Sequence, residues 1–268
     1  MYNDYKLILD NILKNEYDIV SIAIDKDSQS TNGNVYIVSC ENKKFVIKIY
    51  DDLQHTNSMI KLHNYLNEKN FNIPKIIKTI NNESYCIFEK KFIVVYSFLY
   101  GKHVNELWNN DDNNEIIKLI AKEVRKFHNQ TEFYNDINLK IMPFESKTNR
   151  KSVLHFDLTK DNIFINNNNI EFIDFDDAKY GDSICDIAIL ISLFFISKSR
   201  GINLTGIHLF IDEYYGDDIK LREEETKYIK EYASKWIEYV LNGNEFDTST
   251  TESFKVKLEL IKKLDDIL

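Results

Sequence analysis

Near residue 100 the hydrophobic pattern of this chain changes period, and that change constrains its fold more than any other feature. Before it, short β-branched and aromatic runs recur between turn residues, as in strands. After Gly101, apolar residues recur with the 3.6-residue period of helices. The expected fold class is α+β: a small antiparallel sheet first, then a mainly helical part. In the first part the pattern predicts a helix over 4–14, strands at 19–24, Val35–Ser39 and Lys44–Tyr50, and a helix through Met59, Leu62, Tyr65 and Leu66 that ends before Pro74. Two further strands are expected at 85–89 and 92–97. In the second part, Ile116, Ile117, Ile120, Val124 and Phe127 mark one helix, and helices over 220–241 and 254–268 close the chain. The asparagine run 166–169 lies between two β-branched stretches and reads as a hairpin tip, because Asn tolerates left-handed backbone.

Composition narrows the function classes. With 268 residues and 43% apolar content the chain can bury a sizeable core, and only 7 Gly and 2 Pro leave little room for a flexible linker. The net charge of −9 argues against nucleic acid as a partner. The longest apolar run, 187–196, is about half the length a membrane span needs, so a buried helix is expected and no membrane partner. The amino-terminal residues lack a signal-peptide pattern, which predicts a cytoplasmic protein. Cys40, Cys86 and Cys185 form no C-x-x-C pair and the six histidines no ligand spacing, so reduced thiols are expected and a His-built metal site is not. Oligomeric state leaves no mark on the sequence.

The chemistry concentrates in two segments. His155-Phe156-Asp157-Leu158-Thr159-Lys160-Asp161-Asn162 is followed, after the hairpin, by Ile173-Asp174-Phe175-Asp176-Asp177. Asp157 and Asn162 have the five-residue spacing of the catalytic Asp and metal-binding Asn of protein kinases, and Asp174-Phe175 falls where those enzymes carry a metal-binding Asp. Two acids and an amide at one end of a hairpin suit phosphoryl transfer, in which a base orients a hydroxyl and oxygen ligands hold magnesium.

These motifs resemble the aminoglycoside phosphotransferase and choline kinase family, small-molecule relatives of protein kinases. The family's His-Gly-Asp-x-x-x-x-Asn loop is matched from His155 to Asn162 except for Phe156 in place of Gly, and the segment from Ile173 to Ala188 is similar to its next one. The resemblance implies a two-lobed kinase-like fold, residues 1–99 forming a nucleotide-binding lobe and 100–268 a helical lobe with the catalytic loop. It implies Asp157 as the catalytic residue, Asn162 and Asp174 as magnesium ligands, His155 as a brace, and Asp186 as a structural hydrogen-bond acceptor for the loop. Asp161, Asp176 and Asp177 carry no assigned role. ATP and magnesium are the implied cofactors, and antibiotic resistance is among the roles such proteins fill.

The first part supplies the implied complement. Lys48 lies mid-strand, on the face opposite Phe45 and Ile47, and would bind phosphate. Gly33 and Asn34 precede the next strand as a weak phosphate-cradling turn. Residues 95–101 resemble the family's hinge, where the backbone of Ser97 and Leu99 would meet adenine. The family's Glu partner for the lysine is missing: Ser58, Met59 and Ile60 occupy its place. The expected function is therefore an ATP- and magnesium-dependent kinase acting on a small-molecule hydroxyl. The acidic stretch between Asp212 and Glu225 favours a cationic acceptor, aminoglycoside-like or an amino alcohol caged by Trp236 and tyrosines. A nucleotide-binding pseudokinase is the alternative, as is a kinase acting on homoserine, a sugar or a protein side chain. A phosphatase built on Asp174-Phe175-Asp176 is disfavoured, because the residue types expected after the second Asp are absent.

Overall fold

A computed structural model describes residues 2–27, 34–109, 113–243 and 246–264. The chain forms two compact units, residues 1–100 and 101–268.

The first unit is a twisted antiparallel sheet between two helices. Its strands are β1 (Ala23–Lys26), β2 (Val35–Ser39), β3 (Lys44–Tyr50), β4 (Ile76–Ile77), β5 (Cys86–Phe88) and β6 (Lys91–Ser97), in the order β1-β2-β3-β6-β4 with β5 also paired to β6. Helix α1 (Tyr2–Tyr17) lays Leu9, Leu13 and Tyr17 onto Val38, Phe45, Ile47, Ile49 and Val95. Helix α2 (Leu53–Glu68) is capped by Asp52, whose carboxylate accepts from His55 N at 2.6 Å. Ile60 of α2 clusters with Tyr50, Val94 and Tyr96. Period-two alternation in β3 thus sends Phe45, Ile47 and Ile49 to the α1 side and leaves Lys48, half-buried, on the other. The strand expected at 19–24 is shifted. Ile19 N donates to Leu13 C=O and tucks its side chain into the core, Val20 and Ile22 are exposed, and the ladder begins only at Ala23 opposite Ser39.

The second unit surrounds the catalytic segment with helices. After β7 (Lys102–His103) and the short α3 (Val104–Leu107), α4 (Asn114–Thr131) buries Ile117, Ile120, Ala121, Val124, Phe127 and His128 along one face. Strand β8 (Lys151–Leu154) pairs with β11 (Lys179–Asp182), while β9 (Ile163–Asn166) and β10 (Asn169–Phe172) form the hairpin. Its two tip residues, Asn167 and Asn168, have φ of 49° and 64°, the geometry of a type I′ turn, which matches the strand twist. Helix α5 (Ile184–Phe194) is apolar on all sides and its described neighbours bury nearly every residue, in agreement with the reading of 187–196 as a core helix. The short strands β12 (Ile196–Ser197) and β13 (Gly201–Ile202) follow, then α6 (Leu204–Tyr215), α7 (Ile219–Thr226), α8 (Ile229–Gly243) and α9 (Thr248–Ile261).

The single helix expected over 220–241 is two. Glu225 turns inward to accept from Tyr215 Oη at 2.8 Å, and Tyr228 N closes a turn on Glu225 C=O. The stripe of Ile229, Tyr232, Ala233, Trp236 and Ile237 then restarts in a register that packs on α5. The last helix starts earlier than expected, at Thr248, where Asp247 accepts from Thr250 N at 2.9 Å. Its predicted end, 265–268, lies outside the described residues. No described helix is long and apolar enough to cross a membrane. The three cysteines are free thiols, Cys185 fully buried.

Candidate active site

The catalytic segment begins where β8 ends, and one buried carboxylate determines its path. His155 N donates to Asp186 Oδ2 at 2.7 Å and Phe156 N to Asp186 Oδ1 at 2.9 Å. Asp186 is fully buried in the first turn of α5. A buried carboxylate needs donors, and here they are the loop's own backbone, so the helix holds the loop. A third donor comes from α4. His128 Nε2 lies 3.3 Å from Asp186 Oδ2, and His128 Nδ1 lies 2.7 Å from Tyr214 Oη. Arg150 Nη1 donates to that same hydroxyl oxygen at 2.9 Å. Because the Asp186 carboxylate only accepts, Nε2 of the neutral ring carries the proton and Nδ1 accepts from Tyr214 Oη, which itself accepts from Arg150. Burial lowers the pKa of His128, with Asp186 opposing, in keeping with a neutral ring.

Phe156 stands where the family motif has glycine, and its φ is 67°. Only glycine adopts this left-handed backbone freely. The ring is buried to 3% exposure, packs edge-on to Tyr239 at 5.8 Å, and carries Lys179 Nζ 4.0 Å from its centroid. Packing thus holds the backbone in a conformation the residue type alone disfavours.

Asp157 and Asn162 come together as their spacing predicts. Asn162 Nδ2 donates to Asp157 Oδ2 at 2.8 Å and to Asp157 C=O at 2.9 Å. Both partners are acceptors, so the amide oxygen of Asn162 has no protein partner among the described residues. Asn162 C=O accepts from Ile173 N at 3.0 Å, and His155 Nε2 donates to Ile173 C=O at 2.8 Å. These two bonds seat Asp174, at φ 64°, beside the loop as the cap of a short 3-10 turn, Phe175–Asp177. Burial raises the pKa of Asp157. His155 opposes that shift, and the charges of Asp174 and Asp177 add to it. An amide oxygen and a carboxylate form the hard-oxygen donor set that suits magnesium.

The remaining predicted residues belong to the first unit. Lys48 pairs across the ladder with Val35 and Val94, and Asn34 C=O accepts from Ile49 N at 3.0 Å. Ser97 is engaged with Lys75, its N–H donating to Lys75 C=O and its hydroxyl accepting from Lys75 N, both at 2.8 Å. Leu99 makes no backbone hydrogen bond among the described residues, which leaves it the more open of the two hinge positions. Gly33 lies outside the described residues. Helix α2 carries one carboxylate, the exposed Glu68 at its last position. The sequence reading passed over His128, Arg150, Tyr214 and Lys179. The signal for His128 was present: it extends the apolar stripe of α4 as its one ionisable member.

Residues 132–215, the segment holding all three second-unit candidates, match the family model of the phosphotransferase enzyme family. That match, confined to this segment, agrees with the resemblance to the aminoglycoside phosphotransferase and choline kinase family read from the sequence. The whole chain has the corresponding kinase-like fold. It is similar to an amicoumacin kinase solved with AMP-PNP, Ca2+ and its antibiotic, at 14% identity and TM-score 0.72 over 98% of this chain and 96% of that one. A choline kinase from Cryptosporidium parvum matches at 16% identity and TM-score 0.66, over 98% and 97%. A spectinomycin phosphotransferase bound to ADP and spectinomycin matches at 14% identity and TM-score 0.62, over 97% and 94%. No curated protein matches the sequence.

Proposed function

We propose that this chain transfers the γ-phosphoryl group of ATP to a hydroxyl of a small molecule. One observation carries the reading: Asp157 is half-buried, held by the Asn162 amide in a loop that the Asp186 clamp fixes, and has Asp174 close enough to act on its charge. Phosphoryl transfer asks little covalent chemistry of a protein and much positioning. The acceptor oxygen forms its bond to the γ-phosphorus as the bond to the β–γ bridging oxygen breaks, and ADP leaves with that electron pair. Asp157 takes the acceptor's proton, and its raised pKa makes it a stronger base than an exposed Asp. Asn162 Oδ1 and the Asp174 carboxylate would hold magnesium, which when bound neutralises phosphate charge. Lys48 would bind phosphate, Asn34 would line the turn before it, and Leu99 with Ser97 would border adenine. A nucleotide-dependent enzyme with free thiols also fits the cytoplasm.

Four of the acids that pointed to a cationic acceptor have local uses. Asp212 pairs with Arg222 at 2.6 Å, Glu213 with Lys122 at 3.2 Å, Asp218 caps α7, and Glu225 is buried against Tyr215. Asp217, Glu223 and Glu224 are exposed, so a cationic acceptor, aminoglycoside-like or an amino alcohol, stays part of the proposal.

Phosphate transfer from magnesium-ATP, screened over amino alcohols, aminoglycosides, macrolides, hydroxy acids and sugars, tests the reading. Asp157→Asn should lower turnover by roughly 10²–10⁴-fold and leave nucleotide binding nearly intact. Full activity in Asp157→Asn would reject the base. Tight nucleotide binding with no acceptor turned over would favour the pseudokinase, the reading that the absence of a Glu in the middle of α2 supports.

A further inference from the structure

Lys179 is the one buried lysine among the described residues, at 6% exposure, and it reaches the catalytic segment from across a strand pair. In the β8–β11 ladder it stands opposite Leu154, two residues before Phe156. Its Nζ lies 4.0 Å from the centroid of the Phe156 ring and donates to Asp177 C=O at 2.9 Å. The one carboxylate within reach among the described residues is that of Asp177, whose Oδ1 is 3.9 Å away and whose side chain is largely exposed. A buried ammonium is costly, and one carbonyl, one ring face and a distant, solvated acid offset that cost only in part. A neutral side chain of the same length would fill the space without it, so packing alone gives no reason for the charge.

The position supplies the reason. Asp177 ends the 3-10 turn that Asp174 caps, and the start of that turn is tied to the loop through Ile173, by Asn162 and His155. Ala178 N closes the turn on Phe175 C=O at 2.8 Å, and Lys179 holds its far end at Asp177 C=O. The ring on the ammonium's other side belongs to the residue before Asp157. The charge of Asp174 acts on Asp157, and two like charges part unless the backbone around them is held. We propose that Lys179 is a positioning residue for phosphoryl transfer, clamping the turn that carries Asp174 to the catalytic loop through the Phe156 ring and so fixing the separation of Asp157 and Asp174. The proposal rests on the kinase reading and deepens it. It also gives Phe156 a use: glycine would relax the backbone at φ 67° but would offer the ammonium no ring.

The test begins with Lys179→Met, which keeps the length and apolar bulk and removes the charge and the donor. In phosphate transfer from magnesium-ATP, kcat should fall by roughly tenfold and the magnesium concentration for half-maximal rate should rise by roughly tenfold, with the acceptor KM little changed. Lys179→Arg keeps charge, donor and affinity for a ring face, and should recover most of the loss. Phe156→Leu keeps an apolar side chain without a ring face, so it should lower kcat as Lys179→Met does, and the double variant should be no worse than either single. Rates are compared well below the melting temperature of every variant, so a loss of stability alone moves none of them. Wild-type kcat and magnesium dependence in Lys179→Met would overturn the clamp, as would losses that multiply in the double variant. Should Lys179→Met fail to fold, Phe156→Leu carries the same comparison. A second arm needs no turnover. Amide hydrogen exchange at Ile173 and Ala178, whose N–H groups bond within the segment, should quicken in Lys179→Met by roughly tenfold, while exchange in β2 and β3 of the first unit stays as in the wild type. Unchanged exchange at both amides counts against the clamp whatever the enzyme does. Faster exchange in a chain that binds no magnesium-ATP and phosphorylates no acceptor would sink the kinase reading, and with it the catalytic role, and leave the tie between turn and loop standing.

Discussion

Phe156 places a bulky side chain at φ 67°, and the energies on either side of that choice can be compared. Left-handed backbone costs a non-glycine residue roughly 1–2 kcal/mol, whereas burying a phenylalanine contributes about 1.5–3 kcal/mol. Burial offsets the strain, and the Lys179 ammonium over the ring adds to it. The two terms can be separated by mutation. Phe156→Ala loses the ring and keeps the strain, so it should cost about 3–5 kcal/mol. Phe156→Gly loses the ring and the strain together and should be less harmful by about 1 kcal/mol. In ordinary helix or strand positions glycine is the worse of the two. A urea series in which Phe156→Gly is less stable than Phe156→Ala would show that the left-handed backbone is not retained in solution.

Elements α4, α5 and α6 meet in the polar chain from Asp186 through His128 and Tyr214 to Arg150, and this chain makes stability depend on pH. Burial lowers the pKa of His128 in the folded state, whereas the unfolded residue titrates near 6.5. Below pH 6.5 the unfolded chain therefore binds the extra proton first, and stability falls as pH falls. Denaturation at pH 7.5 and 5.5 should show a loss across that window that shrinks in His128→Gln; an unchanged slope would exclude His128 as its source. Tyr214→Phe removes both the donor to His128 and the acceptor for Arg150 and should cost about 1–3 kcal/mol at either pH. Little of this chain was readable beforehand, because a helical stripe reports which face is buried and not what its polar members touch. The local signals were readable where they were strong. Strands β2 and β3 have the bounds their alternation predicts, and the Asn hairpin formed as its turn chemistry implies. Asp157 and Asn162 met because one loop of fixed length joins them, whereas the break at Glu225 depends on Tyr215, ten residues away, and no local signal announces it.

At the scale of the whole molecule, nucleotide binding should appear as a change in melting, and its size reports how much of the chain melts together. A ligand at about 100 times its Kd stabilises the folded state by about 2.7 kcal/mol. Unfolding entropy near the midpoint is about 2.1 cal/mol/K per residue, so 268 residues melting as one would shift by roughly 5 °C. Were the first unit, residues 1–100, to melt alone, the same free energy would shift its transition by roughly 13 °C. Magnesium and ATP together should produce a shift in that range, and Asp174→Ala should abolish the part that depends on magnesium, since the carboxylate is one of the two oxygen ligands assigned to the ion. Calorimetry distinguishes the cases, because one transition or two is visible directly. The absence of any shift at millimolar nucleotide with magnesium would remove the kinase and the nucleotide-binding pseudokinase together, since both require the folded chain to hold ATP more tightly than the unfolded one.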